Sequence, residues 1–141
     1  MDLQERAYGT DSTPAETEAI RDRVSVISER ILLLRELPVQ SPFSIDVMFD
    51  RVETLTRDWP RFAYVVDLTE AKRPNPETRA TLRNRAVRLQ PRLAHVAIVV
   101  GNNLIMRAMA RLFAHSMGLL SASIHATRAE AIERVRGDGG R

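Results

Sequence analysis

The residues best placed to do chemistry lie between two apolar runs. Tyr64-Val65-Val66-Asp67-Leu68-Thr69 ends on a carboxylate and a hydroxyl, and eight residues after Asp67 comes Asn75-Pro76-Glu77-Thr78. A carboxylate and hydroxyls beside a helix start suit polar recognition of a partner, while an acid in a first helical turn is also ordinary capping chemistry. The same segment is rich in bases: Lys72, Arg73, Arg79, Arg83, Arg85, Arg88 and Arg92, with Glu77 the single acid among residues 71–92. At about 100° per residue, Arg79 and Arg83 fall on one side of a helix and Arg85, Arg88 and Arg92 about opposite, so the spacing does not make one basic stripe.

Other candidates are sparse. The chain has no Cys, which excludes disulfides, thiolate nucleophiles and Cys-ligated metal sites. His95, His115 and His125 fall in a strand, a helix and another strand, with no His-x3-His pair or carboxylate at ligand spacing, so no metal site is expected. His95, inside an apolar run, reads as a core histidine satisfied by hydrogen bonds. Gly-x-Ser-x-Gly is absent, and no strand-to-helix turn presents a Ser beside a base. Gly101-Asn102-Asn103 marks a strand-to-helix turn whose amides could meet an anion. It lacks the other glycines and the Lys of the phosphate-binding fingerprints, and Asn103 reads as an N-cap. The expectation is a non-catalytic domain without a cofactor.

Charge narrows the class further. In 141 residues, 21 bases against 18 acids give +3, and every base but Lys72 is Arg. Residues 1–60 hold 7 Arg against 12 acids, or −5, whereas residues 61–141 hold 14 bases against 6 acids, or +8. With 5% aromatic residues and no basic element interleaved with them, no nucleic-acid partner is expected. No apolar run approaches the roughly 18 to 20 residues that span a bilayer. Met1-Asp2-Leu3-Gln4-Glu5-Arg6 also lacks the order of a signal peptide, so the cytoplasm is the expected compartment.

The elements that position these residues follow from periodicity. Residues 1–20 carry few large apolar side chains and read as a flexible arm ending in a short helix; residues 137–141 read as a disordered tail. Between them, residues 21–136 form one domain. Val24 to Ile27 and Ile31 to Leu34 suggest two antiparallel strands. Ile45, Met48, Phe49, Val52 and Leu55 predict an amphipathic helix capped at Ser44. Phe62 to Leu68 and Leu93 to Val100 are apolar without alternation, as central strands are. Asn75 and Pro76 open the crossover helix between them. A third helix runs from Leu104 to Met117, with Ile105, Met109, Leu112, Phe113 and Ser116 inward, Arg107, Arg111 and His115 outward, and Gly118 as its stop. Leu120, Ala122, Ile124 and Ala126 alternate with polar residues, as in a strand near an edge. Thr127-Arg128-Ala129-Glu130 is a capping box for a last helix. The order β-β-α-β-α-β-α-β-α predicts an α/β fold, an open and mostly parallel sheet of about five strands flanked by helices.

Tyr64 to Thr69, with the helix start at Asn75-Pro76-Glu77-Thr78, resembles the STAS domain of bacterial anti-sigma factor antagonists. There a strand ending in Asp-Leu-Ser or a close variant leads, at this distance, to an Asp-Ser-Ser-Gly motif. Arg111-Leu112-Phe113-Ala114-His115-Ser116-Met117-Gly118-Leu119-Leu120, then Ile124, then Thr127-x-x-Glu130-Ala131, resembles that family's helix-Gly-Leu-strand-(Ser/Thr)-x-x-Glu-Ala ending. The likeness covers residues 24–136 in element order and is shared with the related STAS/SEC14-like group. In the family the second Ser of the motif is phosphorylated by a partner kinase. By distance from Asp67 that position is Glu77, which excludes the modification there and leaves one fixed charge where phosphoserine carries nearly two. Thr69 and Thr78 keep hydroxyls in the same loop.

The resemblance implies a regulatory, protein-binding domain in bacterial signalling. Its candidate partner-binding residues are Asp67, Thr69, Asn75, Glu77, Thr78, Arg79 and Arg83, facing a protein with an acidic surface such as an anti-sigma factor or kinase-like regulator. The alternative is a small apolar-ligand or lipid carrier of the STAS/SEC14-like kind. Its pocket would lie between the sheet and either the Ile45/Met48/Phe49 helix or the Met106/Met109/Met117 helix, positions that plain core packing also explains. A homodimer through the Val24 to Ile27 edge is compatible with both.

Overall fold

A computed structural model describes residues 1–119 and 121–139. In chain order the elements are α1 (Pro14–Arg21), β1 (Val24–Ser28), β2 (Ile31–Arg35), α2 (Pro42–Leu55), β3 (Phe62–Asp67), α3 (Pro76–Leu89), a 3-10 turn (Gln90–Arg92), β4 (Leu93–Val99), α4 (Leu104–Ser116), β5 (Ala122–His125) and α5 (Arg128–Gly139). The five strands lie in sequence order β1-β2-β3-β4-β5. β1 and β2 are antiparallel, joined by a turn in which Arg30 takes φ 59°, and every later pair is parallel. The fold is therefore an open, mostly parallel α/β sheet with β3 and β4 inside and β5 at an edge.

Because the strands from β2 to β5 advance in one direction, right-handed crossovers stack α2, α3 and α4 on one face. That face holds the larger core, with Leu32, Leu34, Tyr64, Val96 and Ile98 beneath Ile45, Met48, Phe49 and Val52 of α2. The opposite face is covered by α5, which lies close because the residues between are small: Ala63, Val65, Ala97 and Val99 meet Ala131 and Val135.

Several boundaries differ from expectation. α2 begins one turn earlier, capped by Ser41, with Pro42 in the first turn and Ser44 completing a reciprocal capping box. Residues 1–20, expected to be a flexible arm, pack against the domain: Tyr8 is 2% exposed, Ile20 is fully buried, and Ser41 Oγ donates to the Tyr8 carbonyl. α1, the short helix at its end, is held by a Thr13–Glu16 capping box. Residues 137–139 of the expected tail continue α5, while residues 140–141 and Leu120 lie outside the described residues.

The face of α4 is also turned. Ile105 and Leu112, expected inward, are 73% and 71% exposed, and the buried positions are Ala110 and Ala114. Apolar residues lie all round this helix, and the stripe chosen by packing is the one carrying the two alanines. α4 ends as expected at Gly118, which takes φ 65° while its N–H bonds His115 O and that of Leu119 bonds Ala114 O. No helix among the described residues is long and apolar enough to cross a membrane.

Candidate functional site

The loop after β3 is built as the sequence suggests, but most of its polar groups serve the fold. Asp67 is buried, and its carboxylate is saturated: Oδ1 accepts from Thr69 N–H at 2.9 Å and Thr69 Oγ1 at 2.7 Å, and Oδ2 accepts from Arg128 Nε at 2.8 Å. Burial alone would raise this carboxyl, yet the Thr69 bonds and the Arg128 guanidinium outweigh it and hold Asp67 below its ordinary pKa. The residue thus ties the end of β3 to the first turn of α5. Asn75 caps α3 by accepting from Thr78 N–H at 2.8 Å. Thr78 is fully buried, out of reach of a partner or a kinase. The exposed residues of the expected set are Glu77, Arg79 and Arg83, together with Thr69, whose hydroxyl is engaged by Asp67, and Asn75, whose Oδ1 is engaged by the cap.

The basic segment divides as the helical rotation predicts. Arg85 reaches Asp46 at 3.4 Å and Asp50 at 2.7 Å on α2, Arg88 approaches Glu53, and Arg92 caps the end of α2 through the Thr56 and Trp59 carbonyls. Arg79 and Arg83 face the other way and make no ion pair with a described residue.

Those two arginines stand at the rim of a cavity of about 540 Å3 between α3, α4 and the sheet. Its origin is local. α3 leans on α2 rather than on the strands, and its inner positions are Thr78, Leu82, Ala86 and Leu89, of which Leu82 and Ala86 stay half-buried. α4 offers Met106, Met109, Ala110 and Phe113 across the gap. With two alanines on the inner faces, the helices cannot fill the space above Leu34, Tyr64, Val66, Val96 and Ile98. Of the residues expected to line a pocket, Phe49, Met106 and Met109 do so, while Ile45, Met48 and Met117 are core.

Three buried polar side chains interrupt this apolar lining: Glu36, Gln40 and Tyr64. Glu36 Oε1 accepts from Leu37 N–H at 2.9 Å. Burial pushes the Glu36 carboxyl up to about 7 against the pull of that bond and of Arg23. Burial, aided by Glu36, also raises the Tyr64 hydroxyl. Tyr64 Oη and Gln40 Oε1 have no hydrogen-bond partner among the described residues. Leaving such a buried group unpaired costs about 1–3 kcal/mol, so the cavity carries unmet polar demand. Sequence reasoning missed Glu36 and Gln40, because an acid after a strand and a glutamine in a loop read as surface until packing buries them. Tyr64 lies in a central strand as expected, but nothing in the sequence gives its hydroxyl a role.

A second cluster crosses β4 and β5 on the α5 face. His95 is buried, with Nδ1 2.8 Å from Ser121 Oγ and Nε2 2.7 Å from Ser123 Oγ, and Ser123 Oγ is also 2.7 Å from His125 Nε2. Burial holds His125 below its ordinary pKa. The alternation of Ser121, Ser123 and His125 was the signal for this chain of hydrogen bonds, although no single turn joins the residues. Ser123 does not line the cavity, and the arrangement satisfies His95 as expected of a core histidine. Among the described residues no group of three or more His, Asp or Glu side chains could hold a metal ion.

No protein-family model matches the chain, and no curated protein matches it.

Proposed function

We propose that this chain is a non-catalytic binding domain that takes a small apolar molecule into the cavity between α3, α4 and the sheet, the carrier activity implied by its STAS/SEC14-like resemblance. The observation that carries this reading is the cavity itself, whose volume of about 540 Å3 falls within the roughly 300–1,000 Å3 of small-molecule sites. Its walls are aliphatic and aromatic, and two of them are methionines able to adapt to a guest. About a dozen methylenes buried there, at ~0.8 kcal/mol each, would supply roughly 10 kcal/mol before the cost of immobilising the molecule. Native mass spectrometry of the purified protein, with solvent extraction, tests the proposal. A copurifying apolar molecule is expected, and Ala86→Trp, which fills the cavity, should lose it while keeping the wild-type circular dichroism. Recovery of equal ligand from both proteins would overturn the assignment.

The regulatory reading, binding of an acidic protein surface, keeps support from Glu77, Arg79 and Arg83. All three are exposed, Glu77 and Arg79 near the start of α3 and Arg83 at its middle, without an ion pair to a described residue, and unpaired guanidiniums steer an acidic partner. Glu77→Arg should change the set of proteins retained from extract. The edge strand β1, with Ser25 and Val26 exposed, is where a second copy would pair.

A further inference from the structure

The buried polar groups and the arginines of the cavity gather at one end, while His115 and Ser116 in the last turn of α4 are the polar lining residues at the other. Glu36 and Gln40 follow β2, and Lys72 and Arg73 follow β3, so these lining residues gather at the carboxyl edge of the parallel strands. Leu93 opens β4 and Leu119 precedes β5, which places them at the amino edge. α3 and α4 both start at the carboxyl edge and run back across the sheet. Arg79 in the first half of α3 and Arg83 at its middle therefore lie toward the polar end, and Phe113 near the end of α4 toward the apolar one.

The charges at the polar end are unbalanced. Lys72 pairs with Glu5, but Arg73, Arg79 and Arg83 are exposed and make no ion pair with a described residue. Guanidinium matches carboxylate and phosphate through paired N–H bonds, so three of them at one rim select an anion. Beneath the rim, Tyr64 Oη and Gln40 Oε1 are buried without a partner among the described residues and line the same cavity. The Tyr64 hydroxyl can complete its hydrogen bond by donating to an anionic head group that the rim has drawn in, while Gln40 Oε1 can only accept, from a head group that still carries a proton.

Resting on the cavity reading above, we propose that the ligand is an amphiphile with an anionic head, a carboxylate or a phosphate. Arg79 and Arg83 hold the head at the carboxyl edge, Tyr64 donates to it, and the hydrocarbon tail runs toward Leu93, Phe113 and Leu119. Glu36 does not contradict this, since burial keeps its carboxyl protonated to about pH 7 and a neutral acid donates to an anion.

Four probes of one chain length test the head group: dodecanoate, dodecyl phosphate, dodecanol and dodecylammonium, each titrated calorimetrically below its micelle concentration into the full chain at about pH 6.5. One or both anions should bind at least roughly tenfold tighter than the alcohol, and the ammonium more weakly than the alcohol. The ratio of the two anions then distinguishes a fatty acid from a phosphorylated lipid. In the Arg79→Ser/Arg83→Ser double variant the anion should fall to the affinity the alcohol shows for wild type. Equal binding of alcohol and anions, or tighter binding of the ammonium, would overturn the anionic head while leaving the cavity reading standing. If none of the four binds, both fall.

Discussion

Glu36 is the residue whose environment most changes its chemistry. It follows β2 and its backbone N–H bonds Asp67 O, so the strand pairing that builds the sheet also carries its side chain inward. Its carboxyl titrates near 7 in the fold against an ordinary 4.5. The folded state therefore holds this proton more tightly than the unfolded chain, and wild-type stability should fall as pH rises from about 4.5 to about 7, then level off. The loss attributable to this one group is on the order of 3 kcal/mol. Glu36→Gln removes the titration while keeping the shape. Urea unfolding should find the variant more stable than wild type by up to that amount near pH 8 and close to it near pH 4. Parallel curves across that range would mean that Glu36 meets water or a partner cation in solution.

At the scale of elements, the two faces of the sheet make opposite demands. α5 is seated on small residues, and Ala97 beneath it is fully buried, so Ala97→Leu should overpack that face and destabilise by about 2 kcal/mol. Leu112 on α4 is 71% exposed, so Leu112→Gln should stay within about 0.5 kcal/mol of wild type. Thermal denaturation of the two variants checks both statements, and the reverse ranking would restore the inward face that periodicity suggested. That mistaken face shows where sequence stops being informative. Strand and helix order, and the caps at Asn75, Asn103 and Thr127, are local signals that need only neighbouring residues, and they were legible. Which stripe of α4 turns inward is settled by what lies opposite. The same holds for Tyr8, whose burial depends on a pocket and a Ser41 hydroxyl more than thirty residues away. The candidate site was half legible. Arg79 and Arg83 stood out by charge, but the cavity beside them arises from alanines and from the lean of α3, which no residue spells out.

For the molecule as a whole, the uneven charge of the sequence becomes a one-sided mooring. Arg85 and Arg88 pair with acids of α2, so the basic half of the chain is pinned to the acidic half along one flank of α3. The other flank, carrying Arg79 and Arg83, has no such tie and borders the cavity, while α4 beyond it packs mainly on β5. A guest held between α3 and α4 would supply the missing link between two helices that the sheet holds apart. Binding to the folded chain alone must then raise its stability by mass action, by about 2.7 kcal/mol at a free ligand concentration of roughly one hundred times Kd. In a chain of this size that corresponds to a rise in Tm of roughly 8 to 10 °C. Calorimetric scans with dodecanoate should show this rise in wild type and none in Ala86→Trp, because the indole occupies the space through which the guest would join the two helices. A rise that survives the filled cavity would place the anion on the surface.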